Sequence, residues 1–426
     1  MEEFNWRFNM GLYIQDPSYT DSAYLHEALI SSCINSVSGG GAYAFASKDG
    51  IELLIEDENF KKFLKNGTFT LVIGMDDITN IYSIDTLKRL QEKYSGHLIV
   101  KAYIHNGKGS IFHPKYSWFS YENGGTLVIG SGNLTQKGLR QNREAYSIEK
   151  YEGEKFNEVI SEWNNWINHS KMFLFDINDD IVHEYAIKNT RKMGEIIKVQ
   201  KQYGDKSGMD RILKYAELFS LQPKDKKYYV SNGNHQKEIV ELGLNPQAES
   251  GFYGEDVDID MSYWTIYLNS EVLIAEIPKS GSRWQQVNFD KNSFEEFFGA
   301  TCGENGVYRI LFRSITEDGT LKNVEVRPSV SVSSLNYRFE LDAAKGLDYP
   351  MGKERPLGVF VKVSPRDFIY QLVMPGDLAY QSCIEVLDSK AAYSSRMRRI
   401  RYLCKEIYEN TPQLSLWKRL DVEEDE

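Results

Sequence analysis

At 426 residues the chain is too long for a single core of ordinary size, so two domains or three are expected. Hydrophobic residues make up 41% and charged residues 26%, the balance of a soluble globular protein, and no apolar run reaches the roughly 18 residues of a membrane span. A net charge of −11 argues against a uniformly basic nucleic-acid binder, so any polyanion site has to be local.

The opening Met-Glu-Glu-Phe-Asn-Trp lacks the basic and apolar regions of a signal peptide. Cys33, Cys302, Cys383 and Cys404 lie far apart and form no CxxC pair. Reduced thiols in a cytoplasmic protein are expected, with no zinc site, no disulfide framework and no cofactor. Charge is unevenly spread. Residues 1–100 carry 8 basic and 14 acidic side chains, residues 101–150 carry 7 and 3, and residues 351–400 carry 8 and 5. The two basic islands are either footprints for phosphate or chance clusters.

In chain order, residues 23–35 read as an amphipathic helix ended by Gly39-Gly40-Gly41, with a short strand, AYAFAS, after it. Residues 52–64 and 84–93 read as helices, and 68–75 and 97–104 as buried strands. Three further strands are expected at 111–120, 125–131 and 145–151, then a helix over 154–168. Such alternation predicts an α/β domain over 1–184, a mixed sheet flanked by helices. Residues 181–203 read as a polar helix leading into a connector expected over 185–224. From 225 to 426 short strands separated by turn residues predict a β-rich domain, a barrel or sandwich with a few helices such as SFEEFFG. Residues 205–300 are the least assigned, and DVEEDE is an acidic tail.

The informative stretch is 113–144. It holds His113-x-Lys115, then Gly130-Ser131-Gly132-Asn133, then Glu144. A neutral imidazole can attack phosphorus and form a phosphohistidine, dividing one hard displacement into two easier ones. Lys115, two residues on, shares the strand face of His113 and can neutralise the same phosphate. Asn133 can donate to phosphoryl oxygens, and Ser131 faces the same side to bind phosphate. Glu144 could accept a hydrogen bond from the second ring nitrogen of a histidine and set its tautomer.

An HxK pair alone selects nothing, because the chain has three. His169-Ser-Lys171 even continues to Asp176, but it follows a helix and no GSxN-like turn comes after it. His235-Gln-Lys237 sits in a turn where Asn232 or Asn234 can cap the next helix. Only His113 combines an expected strand, the Gly-Ser-Gly-Asn turn and the spaced acid.

Residues 113–144 resemble the catalytic motif of the phospholipase D superfamily, and the element order over roughly 20–170 fits that fold. A single HxK copy followed by GSGN and a downstream Glu is most similar to the NgoFVII and BfiI type of restriction endonuclease. The stretch 355–377 resembles the pseudobarrel DNA-recognition domain of that group. The resemblance implies metal-independent cleavage of double-stranded DNA by a homodimer that pairs two HxK motifs in one site. One His113 would then attack while the other protonates the leaving oxygen. The superfamily's usual Asp, five residues after the lysine, is Ser120 here, and Glu144 would take over part of its orienting role.

Candidate DNA contacts in the C-terminal half are Arg366, Lys390, Arg396, Arg398, Arg399 and Arg401. The run RMRRIRYL could equally be the solvated face of a helix that buries Met397, Ile400 and Leu403. Glu255, Asp256, Asp258 and Asp260 have the spacing of metal ligands but read as a solvated loop. Three other functions compete. One is a less specific phage-defence nuclease whose C-terminal half binds a partner protein, with a methyltransferase or other defence protein as possible companion. The others are a phospholipase, and a regulatory DNA-binding protein without catalysis.

Overall fold

The computed structural model describes residues 10–19, 22–76, 78–105, 110–202, 264–279, 284–300, 308–328, 337–390 and 397–421. The acidic run 255–260, the second decoy His235 and Arg396 lie outside them. One compact unit joins Met1–Thr190 to Ser262–Glu426; the other, Arg191–Met261, includes the C-terminal turns of a helix over Asp180–Gln202.

The N-terminal half of the larger unit is an eight-stranded mixed sheet. Its strands are β1 (Met10–Gln15), β2 (Ser38–Tyr43), β3 (Thr68–Gly74), β4 (Leu98–Tyr103), β5 (Lys115–Tyr121), β6 (Gly124–Gly130), β7 (Glu144–Glu152) and β8 (Leu174–Asp176). They lie in the order β1-β7-β6-β5-β2-β3-β4-β8. β2, β3 and β4 are parallel, and β5, β6, β7 and β1 continue the sheet antiparallel. Helices α1 (Leu25–Ser32), α2 (Lys48–Ile55), α3 (Glu58–Leu64), α4 (Ile81–Lys93) and α5 (Phe156–His169) flank it, as the alternation predicts. The single helix expected over 52–64 is two, because Asp57 breaks the first and caps α3 through Asn59 N.

Gly39, Gly40 and Gly41 do not end a helix; they lie inside β2. The reason is packing. A Cβ on Gly40 would come within 2.6 Å of the Trp118 indole and 2.9 Å of Trp163, so the bare backbone leaves room for two large rings.

The C-terminal half carries strands β9 (Ile266–Tyr267), β10 (Glu271–Glu276), β11 (Gln286–Asn288), β12 (Arg309–Ser314), β13 (Glu325–Pro328), β14 (Arg338–Glu340), β15 (Leu357–Ser364), β16 (Asp367–Val373), β17 (Arg399–Leu403) and β18 (Leu420–Asp421). Six form one sheet, β13-β12-β16-β15-β10-β17; β11 pairs with β14, and β9 with β18. Its core is unusually aromatic. Phe289, Phe294, Phe297, Phe298, Phe312, Phe339, Phe360 and Phe368 bury one another, mostly edge to face. SFEEFFG supplies a π-helical turn, Ser293–Phe297, that drops two phenylalanines into this core. A helix over Tyr380–Lys390, which the periodicity did not single out, packs Cys383, Val386 and Leu387 inward. Within the basic run Arg399–Leu403 is strand β17 on β10, not a helix face, and Tyr402 is the buried residue of that strand.

The two halves meet over buried charge. Arg140, Arg309 and Arg366 are enclosed with Glu27, Asp57 and Asp367. Arg309 pairs with Asp57 at 2.5 Å, Arg140 with Asp367 at 2.7 Å, and Arg366 with Glu27 at 3.0 Å. Three cations against three anions leave no net buried charge, the condition under which such a cluster is tolerated.

Candidate active site

Antiparallel pairing of β5 with β6 ends at Tyr116 and Ile129. The residues before the first and after the second, His113-Pro114-Lys115 and Gly130–Asn133, therefore lie at the same end of the sheet. That is also the C-terminal end of parallel β2, where Tyr43 lies opposite Lys115, the end of an α/β sheet at which ligands gather. Residues 44–47 tie the two segments together. Ala44 N donates to Pro114 O at 2.8 Å, Leu134 N to Phe45 O at 3.1 Å, and Ser47 N to Leu134 O at 3.0 Å.

His113 is not itself in a strand; β5 begins at Lys115. Pro114 has no N–H to give to a ladder, so pairing starts after it. His113 is exposed, and the Phe45 ring stands edge-on to its imidazole, 6.2 Å between centroids. Lys115 Nζ lies 3.0 Å from Nδ1 and 3.0 Å from Nε2 of that ring, and 3.2 Å from His113 O. Desolvation and the Lys115 charge both lower the His113 pKa. Burial also lowers that of Lys115, and the Glu144 carboxylate pushes it back up.

The turn after β6 holds its groups by contacts the motif did not disclose. Ser131 Oγ donates to Glu144 Oε2 in a short hydrogen bond and accepts from Ala145 N at 3.1 Å. Its proton is thus directed at Glu144 rather than at the HxK pair. Glu144 in turn accepts from Asn142 Nδ2 at 3.0 Å and makes no hydrogen bond to His113 among the described residues. Its influence on the HxK pair runs through the charge of Lys115. Asn133 is half-buried, and its Oδ1 is enclosed without a hydrogen-bond partner among the described residues. A Cβ on Gly138 would come within 2.6 Å of Asn133 N and 2.5 Å of its O, so that glycine lets a π-helical turn, Lys137–Gln141, press against the asparagine.

Asn142, Phe45 and Gln15 are contributors that sequence reasoning missed. Gln15 Nε2 donates to Gly138 O at 3.1 Å and Asn142 O at 2.9 Å, fixing the turn between Asn133 and Glu144. Gln15 is a polar residue closing β1 and fully buried, a signal visible only after folding. His169 ends α5, its Nδ1 2.7 Å from Asn165 O, and Asp176 pairs with Lys101.

The proposed DNA contacts fare differently. Arg366 and Arg398 are buried, Arg366 against Glu27 and Ser22 O, Arg398 between Glu276 and Asp388. Neither guanidinium faces solvent, so both are corrected to structural roles. Arg399 is half-buried and donates to Asn288 O at 2.7 Å. Arg401 bonds Asn292 and Glu296, and Lys390 pairs with Glu406 at 3.1 Å.

No family model matches the chain, and none of the curated proteins compared with it does. Among solved structures it is similar to Nuc from Salmonella typhimurium, described as a phospholipase D family member, at 17% identity and a TM-score of 0.29 over 39% of this chain and 96% of that one. It is similar also to NucT from Helicobacter pylori, with 14% identity, a TM-score of 0.30, and 40% and 99% of the chains covered. A third, the phosphatidylserine synthase of Haemophilus influenzae Rd KW20, has 13% identity and a TM-score of 0.30 over 45% and 46%.

Among the described residues, no helix is long and apolar enough to cross a membrane, and no three His, Cys, Asp or Glu side chains are grouped as a metal site. Cys33, Cys383 and Cys404 are buried free thiols.

Proposed function

We propose that this chain is a phospholipase D-like nuclease that hydrolyses DNA phosphodiester bonds without a metal. Residues 1–184 would be the catalytic domain, 185–224 the connector, and 225–426 a pseudobarrel that recognises DNA. The observation that carries the reading is the Lys115 ammonium at 3.0 Å from the His113 ring, beside a turn that brings up Asn133. In the free protein the ammonium stands over the imidazole, equidistant from its two nitrogens, and bonds His113 O at 3.2 Å. A phosphate entering beside it is a stronger acceptor for that ammonium and would be held against the ring nitrogen that attacks.

Bond by bond, one His113 nitrogen bonds to phosphorus as the bond from phosphorus to the sugar oxygen breaks. The His113 of a second copy gives that oxygen its proton. Water, deprotonated by the same second imidazole, then attacks phosphorus and breaks the P–N bond. Lys115 neutralises charge on the equatorial oxygens, and the Asn133 amide donates hydrogen bonds to them, in both steps. A homodimer is supported by an apolar row on the sheet face beside Ser131. Leu12 is 74% exposed, Ile14 58% and Ile129 45%, with Ser147 linking Leu12 to Ile129 in register.

We further read it as a cytoplasmic, site-specific restriction endonuclease of the NgoFVII and BfiI type. Digestion of a plasmid of known sequence in excess EDTA tests this. Discrete fragments are expected. A smear would replace site specificity with the less specific defence nuclease, and intact plasmid would overturn metal-independent cleavage.

A further inference from the structure

Beside His113 a groove of about 1050 Å³ opens between α5 and the sheet, and His113 itself forms part of its wall. Inside it Tyr103, Phe112 and Trp166 are nearly parallel. Tyr103 and Phe112 have centroids 4.2 Å apart at 16°, Phe112 and Trp166 6.0 Å apart at 15°. Phe173 and Trp163, on the same groove, tilt against the outer members, at 37° to Tyr103 and 54° to Trp166. Three rings in parallel, with Tyr103 and Trp166 only half-buried, leave a flat face on which a further ring can stack.

The polar groups of the groove are unequally placed. His113, with Lys115 beside it, marks the phosphate end. On α5, Glu158 and Glu162 precede Trp166 at intervals of four and line the same wall. Two carboxylates repel a phosphate and accept hydrogen bonds from amino groups. A nucleobase adjoining the scissile phosphate meets both demands, whereas an acyl chain offers the carboxylates no hydrogen-bond donor.

We infer that this groove holds an unpaired nucleobase next to the phosphate being cut, stacked on the Tyr103-Phe112-Trp166 platform with its amino edge toward Glu158 and Glu162. The inference rests on the nuclease reading and names its substrate as a strand with a base unstacked at the cut, single-stranded or locally opened.

Binding tests it independently of cleavage. Single-stranded oligodeoxycytidine and an abasic oligonucleotide of equal length and charge are titrated into the full chain, followed by anisotropy and tryptophan fluorescence. Base-bearing DNA is expected to bind about 10-fold tighter, within the ~1–3 kcal/mol of a stacked base, and to quench tryptophan emission. Trp166→Leu keeps an apolar side chain in place, and Tyr103→Leu is the second probe. Both should erase the preference while leaving abasic affinity unchanged. Glu158→Ala with Glu162→Ala should erase a preference for oligodeoxycytidine over oligothymidine.

Equal affinity for base-bearing and abasic DNA in the unaltered chain overturns the inference. So does an effect of Trp166→Leu confined to self-association, which would give the groove to a second copy. Plasmid cleavage is read in parallel. Cleavage with no base preference removes only the stacking groove. Base-dependent binding without cleavage removes the nuclease reading and keeps the groove as a nucleobase site.

Discussion

Arg366 and Glu27 lie 339 residues apart and meet as a bidentate pair, Nε to Oε1 at 3.1 Å and Nη2 to Oε2 at 3.0 Å. Glu27 sits on α1 of the N-terminal half; Arg366 is the tip of the β15–β16 hairpin. The same carboxylate accepts from Arg309 N at 3.0 Å and lies 3.4 Å from Arg140 Nη1. Tyr24 is sandwiched between two guanidiniums, 4.3 Å from Arg140 and 4.5 Å from Arg366. Because Arg140 belongs to the turn between Asn133 and Glu144, the C-terminal half is anchored to the backbone of the candidate site.

Arg366 has a φ of 65° after Pro365, the left-handed position of a type II turn that favours glycine. Arg366→Gly would relieve about 1 kcal/mol of that strain. It would also leave Glu27 without its bidentate partner in the buried cluster, at a cost of about 3–5 kcal/mol. The second effect wins, so urea unfolding should find a net loss of about 2–4 kcal/mol. A gain in stability would mean that the pair contributes nothing.

Asp367→Asn asks whether the anchor also serves the site. Arg140 donates to Asp367 Oδ1 at 3.0 and 2.7 Å, and a neutral amide cannot balance its charge. Stability should fall by about 3 kcal/mol or more. Cleavage at a temperature where the variant is still folded should fall as well, through displaced Asn133. Full activity in a folded variant would separate the junction from catalysis.

His26 carries a pH dependence of known sign. It is fully buried, bonds Leu53 O at 2.8 Å, and has its pKa lowered to about 3 by burial and by the Arg140 charge. Unfolded chains take up a proton at this residue below about pH 6.5, while the folded protein does not. Its contribution is therefore complete above that value and is lost as pH falls toward 3, at about 1.4 kcal/mol per unit. Glu325 acts oppositely, since burial raises its pKa to about 7 and folding then favours its protonated form between that value and the ordinary one. Comparing unfolding of the unaltered chain with His26→Asn isolates the histidine. The difference should shrink steadily from pH 6 to pH 4 by the slope just given, and a pH-independent difference would sink the assignment.

Much of the N-terminal half was legible because its signals are local. The strands at 68–75 and 125–131 and the helix at 154–168 are announced by their own periodicity. What failed depends on distant partners. Gly39–Gly41 read as a terminator because nothing nearby says that Trp118 and Trp163 will fill the space beside Gly40. Arg366 and Arg398 read as DNA contacts because a surplus of charge along the chain does not reveal which charges Glu27 and Glu276 will bury. The HxK spacing and the GSGN turn were readable, but the Ser131 to Glu144 bond was not, since it needs β6 and β7 side by side.

The assignment of His113 makes the sharpest kinetic prediction. His113→Ala should abolish cleavage, and His169→Ala should leave it within about 2-fold, because a surface substitution away from the chemistry usually changes little. The reverse result would overturn the choice of motif. Attack requires a neutral imidazole, and desolvation together with Lys115 lowers the His113 pKa. The acidic limb of the rate profile should therefore lie below the ordinary histidine value of about 6.5. Lys115→Gln removes the repelling charge and leaves the desolvation, so its residual activity should show that limb moved to higher pH while the rate falls by roughly 100-fold or more for the lost phosphate contact. A limb that stays in place would show that Lys115 does not act on His113 in the working enzyme.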